Sequence, residues 1–164
     1  MKKSNRKGFT LVELVVVIAI IGVLAAILVP TLMNYVKKSR LKTANSNAKL
    51  VFTTVNNQSA DLVAEGAAAA SITFGPSKVS TVTKPTLDQE YSGFSYSSAL
   101  EYAVYDALKD NGNGTGWAYY TVAADGDVTK AQWQTTSAVS GQITGQYPNP
   151  PKDVDAAETL GFGS

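Results

Sequence analysis

The sequence predicts an α+β protein. Its long N-terminal α-helix, with a transmembrane half and an amphipathic half, packs on a small antiparallel β-sheet headgroup. Three observations predict this. An apolar run fills Phe9 to Val29, apolar residues at helical spacing continue from Leu41 to Leu62, and short β-rich stretches separated by turn residues follow residue 66. Charge divides the chain in the same place. Residues 1–49 hold nine Lys/Arg and one acid, whereas residues 50–164 hold five and twelve, so the net +1 of the 164 residues averages two unlike parts.

The first element opens with MKKSNRKG, which carries four positive charges, and continues into Phe9 to Val29, apolar except for Thr10, Glu13 and Gly22. As a helix those 21 residues span about 31 Å, close to the ~30 Å hydrocarbon core of a bilayer. An ordinary secretory signal is the alternative, with Val23-Leu24-Ala25 as its cleavage site, although its apolar region should run only about 7 to 15 residues. Basic residues flank the span on both sides, at Lys2, Lys3, Arg6 and Lys7 and at Lys37, Lys38, Arg40 and Lys42. The positive-inside rule therefore favours an N-terminus inside by only a small margin.

Glu13 is the anomaly of the run. An ionised carboxylate in hydrocarbon is costly, and intramembrane acids default to function. Two readings stand: an interfacial acid complementing the positive end of a helix, or a buried acid awaiting a cation on another chain. Gly22 and Pro30 are weak points of the helix, either tolerated in a membrane span, where both are common, or places where it bends or melts.

Beyond Pro30, Leu41, Ala44, Ala48, Val51, Val55, Gln58 and Leu62 follow alternating spacings of three and four, the seam of an amphipathic helix with one polar position. Helix is expected from Phe9 to about Glu65, stopping near Gly66. Ala67 to Phe74 reads as a connector, and Lys78 to Thr83 as a short strand ended by Pro85. Ser98-Ala-Leu-Glu101 carries a capping-box signature ahead of a helix near 98–110, whose apolar face is Leu100, Ala103, Val104, Ala107 and Leu108. Trp117 to Val122 and Val128 to Thr136, joined through Asp125-Gly126-Asp127, read as a β-hairpin. The tail from Gly141 reads as surface loop.

Composition excludes much chemistry. With no His and no Cys there is no imidazole base, thiolate, disulfide or Cys/His zinc site. The scattered carboxylates form no acid-base motif, so no catalytic residue and no cofactor is assigned and no enzyme is expected. The balance of charge argues against a general nucleic-acid binder. Asp125 and Asp127 are a weak metal candidate, because a tight turn explains them equally. Asn57-Gln-Ser59 and Asn113-Gly-Thr115 fit the glycosylation pattern, which is too short to assign a site. Trp117, Tyr119, Trp133 and Tyr147 form either an aromatic strip for sugar or single-stranded DNA or the core of a small sheet.

The string Lys7-Gly8-Phe9-Thr10-Leu11-Val12-Glu13-Leu14, followed by an apolar run through Gly22 to Pro30, resembles the class III signal of type IV prepilins and related pseudopilins. The resemblance divides the chain into a leader (1–8), a transmembrane and filament-core helix (9–30), its amphipathic continuation (31–66) and a headgroup (67–164). It implies cleavage between Gly8 and Phe9 by a prepilin peptidase and N-methylation of Phe9. It further implies handling by a pilus assembly platform in the membrane and assembly into a helical homo-oligomeric filament. Thr10 and Glu13 are the implied assembly residues, Glu13 pairing with the Phe9 amine of a neighbouring subunit, and Gly22 and Pro30 the implied points of melting. The precursor would be a single-pass protein of the cytoplasmic (inner) membrane with its N-terminus inside, and the product an extracellular pilus for adhesion, twitching motility or contact with a surface or DNA ligand. A pseudopilin of a secretion or DNA-uptake machine, and a membrane-tethered or secreted carbohydrate-binding module, are the alternatives. Lacking the C-terminal Cys pair of many pilins, the chain looks more like pilins of Gram-positive bacteria.

Overall fold

In the computed structural model, which describes residues 8–68, 71–79, 96–110, 116–136 and 141–163, the long helix α1 spans Leu11–Ala64. The chain separates into two units, Met1–Val36 and Lys37–Ser164. Among the described residues of the first, every one is exposed. The second holds the headgroup and its core.

From Lys37 onward α1 buries one face: Leu41, Ala44, Ala48, Val51, Val55 and Leu62, the positions that the spacing predicts. Gln58 is only half-buried, and Ser59 lies inside instead, its hydroxyl donating to the Gly126 carbonyl at 2.6 Å. The helix ends as the Gly66 signal predicts. The Gly66 amide bonds to the Val63 carbonyl at 3.0 Å and the Ala67 amide to that of Leu62 at 2.9 Å, while Gly66 takes φ 94°. That is a Schellman cap, whose left-handed residue favours glycine.

Four antiparallel strands lie in the order β1 (Ile72–Lys78), β2 (Trp117–Val122), β3 (Val128–Gln134) and β4 (Gly145–Tyr147). The expected connector over Ala67 to Phe74 is corrected: β1 begins at Ile72, and of the strand expected over Lys78 to Thr83, residues 80–83 lie outside the described residues. Gly75-Pro76 argues locally against a strand, but β1 is an edge strand and carries a register shift between Phe74 and Ser77. Edges and bulges are where proline is tolerated. The β2–β3 hairpin forms as predicted, with a second bulge between Thr121 and Val122. That bulge lets Val128, Ala131 and Trp133 all join the core.

Helix α2 (Tyr96–Leu108) adds Leu100, Val104 and Leu108 to the same core. It starts two residues ahead of Ser98, so Ser98 is inside the helix rather than its cap: packing of the apolar face outweighs the local signal. The helix, expected to reach about residue 110, ends at Leu108.

The tail is not surface loop. Its strand β4 pairs with β3, and a short helix α3 (Val154–Thr159) is capped by Asp153, whose side chain accepts from the Ala156 amide at 2.8 Å. A Cβ on Gly145 would overlap the Ala44 carbonyl, so only glycine lets β4 approach α1 this closely. In place of a disulfide, buried amides hold the tail. Gln132 donates to the Gln146 side chain at 3.0 Å and to the Gly161 carbonyl at 2.9 Å, and accepts from the Gly163 amide at 2.8 Å. Gln134 donates to the Thr144 hydroxyl at 2.6 Å, and the Thr144 amide bonds to the Ala157 carbonyl at 3.1 Å. Each such bond contributes about 1 kcal/mol net, but removing one partner leaves a buried polar group unmet.

Candidate functional site

Within the N-terminal unit, Gly8, Phe9 and Thr10 precede the first helical residue, Leu11. Four bonds join Thr10 to the first turn. The Thr10 amide donates to Glu13 Oε2 at 2.9 Å and the Thr10 hydroxyl donates to the same oxygen at 2.7 Å. The Glu13 amide donates to Thr10 Oγ1 at 3.3 Å, and the Leu14 amide to the Thr10 carbonyl at 3.2 Å. This is a reciprocal capping box, with Thr10 at the N-cap and Glu13 at the third helical position.

A helix that starts in or near hydrocarbon has no water to satisfy its first amides, so a side-chain cap there substitutes for solvent. Glu13 also places its negative charge at the positive end of the helix dipole. Sequence reasoning singled out both residues but not their bond. The signal was present: Thr-x-x-Glu ahead of an apolar run is the same pattern as Ser98-x-x-Glu101. In this subunit Thr10-Glu13 caps α1, whereas Ser98 lies two residues inside α2.

Downstream, α1 runs without interruption through Gly22 and Pro30. Pro30 leaves the Ala26 carbonyl without its usual amide donor, and beside it the Thr31 hydroxyl donates to the Ile27 carbonyl at 3.1 Å. The apolar side chains stand in the open, from Phe9 at 78% exposure through Ile27 at 66% to Tyr35 at 71%. An exposed apolar surface of this extent needs lipid or protein to cover it. Among the described residues α1 is the one helix long and apolar enough to cross a membrane.

In the headgroup the remaining candidates resolve into structure. Trp133 is fully buried in the core and half-buried Tyr147 packs against it, whereas Tyr119, 7% exposed, and half-buried Trp117 occupy the alternate positions of β2, on the face opposite Ala118 and Tyr120, so the four form no exposed strip. Tyr147 packs edge-on to Phe52, with ring centroids 4.8 Å apart. Asp125 accepts from the Asp127 amide at 3.1 Å, the bond of a tight turn, and no group of three metal-binding side chains occurs among the described residues. Ser59 of the Asn57 glycosylation pattern is buried, and Asn113 lies outside the described residues.

The comparisons bear on the same N-terminal segment first. The prokaryotic N-terminal methylation motif matches residues 3–29. The type IV major fimbrial protein FimA of Dichelobacter nodosus is 56% identical over 39 residues, 24% of this chain and 25% of that protein. The type IV major pilin PilA of Myxococcus xanthus is 43% identical over 49 residues, 30% of this chain and 22% of that protein. The chain thus matches about a quarter of the length of such relatives. The type IV major alpha-pilin of Moraxella bovis is 30% identical over 143 residues, 83% of this chain and 84% of that protein. No solved structure matches. A likeness that runs through the capped helix and on across the headgroup makes this chain a member of the type IV pilin family.

Proposed function

We propose that this chain is a structural, non-catalytic subunit of a type IV pilus. The observation that carries the proposal is the likeness to a major alpha-pilin across 83% of the chain, headed by the methylation motif. On this reading a prepilin peptidase cuts between Gly8 and Phe9, the new Phe9 amine is methylated, and the precursor waits in the cytoplasmic membrane with its N-terminus inside. The assembly platform then moves it into a filament whose core is the apolar half of α1. The pilus serves adhesion or twitching motility.

The capping box supports the role of Glu13. Thr10 holds the carboxylate beside the N-terminal turn, one residue from Phe9, where it can meet the amine of a neighbouring subunit. Desolvated together the two charges are tolerated, whereas leaving one without its partner costs about 3–5 kcal/mol. Gly22 and Pro30 would be where the helix loosens in the filament, Pro30 because its turn already lacks a bond. Relatives named as major pilins favour a filament over a secretion pseudopilin. For a Gram-positive source only the missing Cys pair speaks, and the relatives above, from Gram-negative bacteria, speak against it.

The test is Edman sequencing and mass spectrometry of the membrane-extracted chain, with electron microscopy of sheared surface filaments. Methylated Phe9 at the N-terminus and filaments containing the chain are expected, with filaments depleted and cleavage intact in Glu13→Val. A start at Ala26 or Ile27, or undiminished filaments in Glu13→Val, would refute the processing or the pairing respectively.

A further inference from the structure

Positive charge follows directly on the apolar part of α1. Leu32, Met33, Tyr35 and Val36 are the last of its run of exposed apolar side chains, and Lys38, Arg40 and Lys42 come next. All three bases are exposed, and none forms an ion pair among the described residues. The nearby acids are engaged elsewhere: Glu158 of α3 holds Lys37 at 3.0 Å, and Asp153 caps α3. Between Glu13 and Asp61 the helix itself carries no acid.

The three bases do not share a face. At about 100° per residue, Lys38 and Lys42 stand within about 40° of one another, with Arg40 on the opposite side of the helix. A protein surface meets one side of a helix, whereas lipid surrounds it. Along the axis Lys38 to Lys42 cover only about 6 Å, which matches one headgroup layer of roughly 5–7 Å on each side of the hydrocarbon. Tyr35, 71% exposed and about one turn ahead of Lys38, is of the aromatic type enriched at that boundary. From Glu13 to Lys38 the helix advances about 37 Å, against a hydrocarbon core of ~30 Å. A span with little tilt therefore sets the acid and the bases in opposite headgroup layers.

We propose that Lys38, Arg40 and Lys42 form a collar that binds anionic phospholipid headgroups in the leaflet away from the N-terminus and fixes the depth of the waiting subunit. The inference rests on the membrane step of the reading above. An anionic lipid surface draws juxtamembrane bases over about a Debye length, and Lys and Arg lay their stems along apolar surface while the charged head reaches the phosphates. Loss of the leader takes four bases from the other side of the span. The collar is then the main positive charge beside the membrane. By holding its own end in the headgroups, it keeps the Glu13 carboxylate out of hydrocarbon at the other end.

The test takes the chain isolated from the membrane and starting at Phe9, and reconstitutes it into phosphatidylcholine vesicles with about 30% phosphatidylglycerol. Electron paramagnetic resonance then compares how strongly spin-labelled phosphatidylglycerol and spin-labelled phosphatidylcholine occupy the layer around the protein. The unaltered chain is expected to prefer phosphatidylglycerol by at least ~3-fold, and the preference to fall below ~1.5-fold in about 1 M sodium chloride. The same fall is expected at low salt in Lys38→Gln, Arg40→Gln and Lys42→Gln combined. Lys38→Arg with Lys42→Arg should keep the preference. So should Lys49→Gln with Lys152→Gln, which removes two exposed charges of the head outside the collar. No preference in the unaltered chain, an undiminished one in the triple variant, or an equal loss in the Lys49 and Lys152 variant would overturn the collar. Depleted filaments in the triple variant with its lipid preference intact would overturn it in favour of a protein contact. Methylated Phe9 and normal filaments without any lipid preference would overturn the collar alone, whereas release of the unaltered chain from the vesicles by alkaline carbonate would overturn the membrane step as well.

Discussion

Thr10 and Glu13 carry one bond network. In the subunit it caps a helix that starts where water is scarce; on the proposed reading the same carboxylate also meets the Phe9 amine of a neighbouring subunit. Thr10→Ala removes the N-cap at about 1 kcal/mol, and Thr10→Ser retains it. Filament yield should therefore fall in the alanine variant and be spared in the serine variant; equal yields would separate capping from assembly. Glu101 behaves in the opposite sense from an ordinary surface acid. Half-buried on α2, its carboxyl is held above the usual range by desolvation. Below the unfolded pKa both states hold the proton and the group imposes no cost, but as pH rises through the raised folded value the head must ionise a partly buried acid and loses stability. Glu101→Gln should thus raise the melting temperature at pH 7, with the gain vanishing toward pH 4. The spacing of residues 10 and 13 made the cap legible beforehand; the burial of Glu101 was not, because it depends on what packs over α2.

Among the elements, α1 and the β2–β3 hairpin were legible because their signals are local: a periodic apolar seam, a Gly66 stop and an Asp-Gly turn. β1 and the tail were not. Gly75-Pro76 reads as a break until the neighbouring strand and the bulge are in place, and three residues of β4 carry no periodicity. What positions β4 is a backbone approach, so Gly145→Ala should destabilise the head by about 3 kcal/mol as overpacking against the Ala44 carbonyl. Thermal melting of the purified chain in detergent checks it, and an unchanged melting temperature would contradict the close approach. The glutamines of β3 make a sharper case. Gln132→Leu removes three bonds to the tail and leaves the Gly161 and Gly163 backbone groups without these partners, so limited proteolysis should release the C-terminal segment while the β2–β3 hairpin stays protected.

At the scale of the whole molecule, the exposed apolar surface of residues 9–36 needs lipid or protein to cover it, and on the proposed reading apolar burial and charge both contribute to holding subunits in a filament. Screening discriminates their contributions: in about 1 M salt the Debye length falls to ~3 Å, which weakens exposed ion pairs and strengthens apolar burial only where the salt is kosmotropic. Filaments held also by charge should fragment in concentrated sodium chloride more than in sodium sulfate of equal ionic strength, as read by sedimentation. The sequence by itself determined the membrane-length helix, its amphipathic continuation, the hairpin and the family motif, because each is written in neighbouring residues and needs only chain geometry to express it. Tertiary structure alone decided that Tyr120 and Trp133 serve the core while Trp117 and Tyr119 lie on the other face of β2, and that buried glutamines hold the tail. Those outcomes depend on which distant segments meet: the Gln132 amide and the Gly161 carbonyl, or the Ser59 hydroxyl and the Gly126 carbonyl, acquire their roles only once the sheet and helix have been brought together.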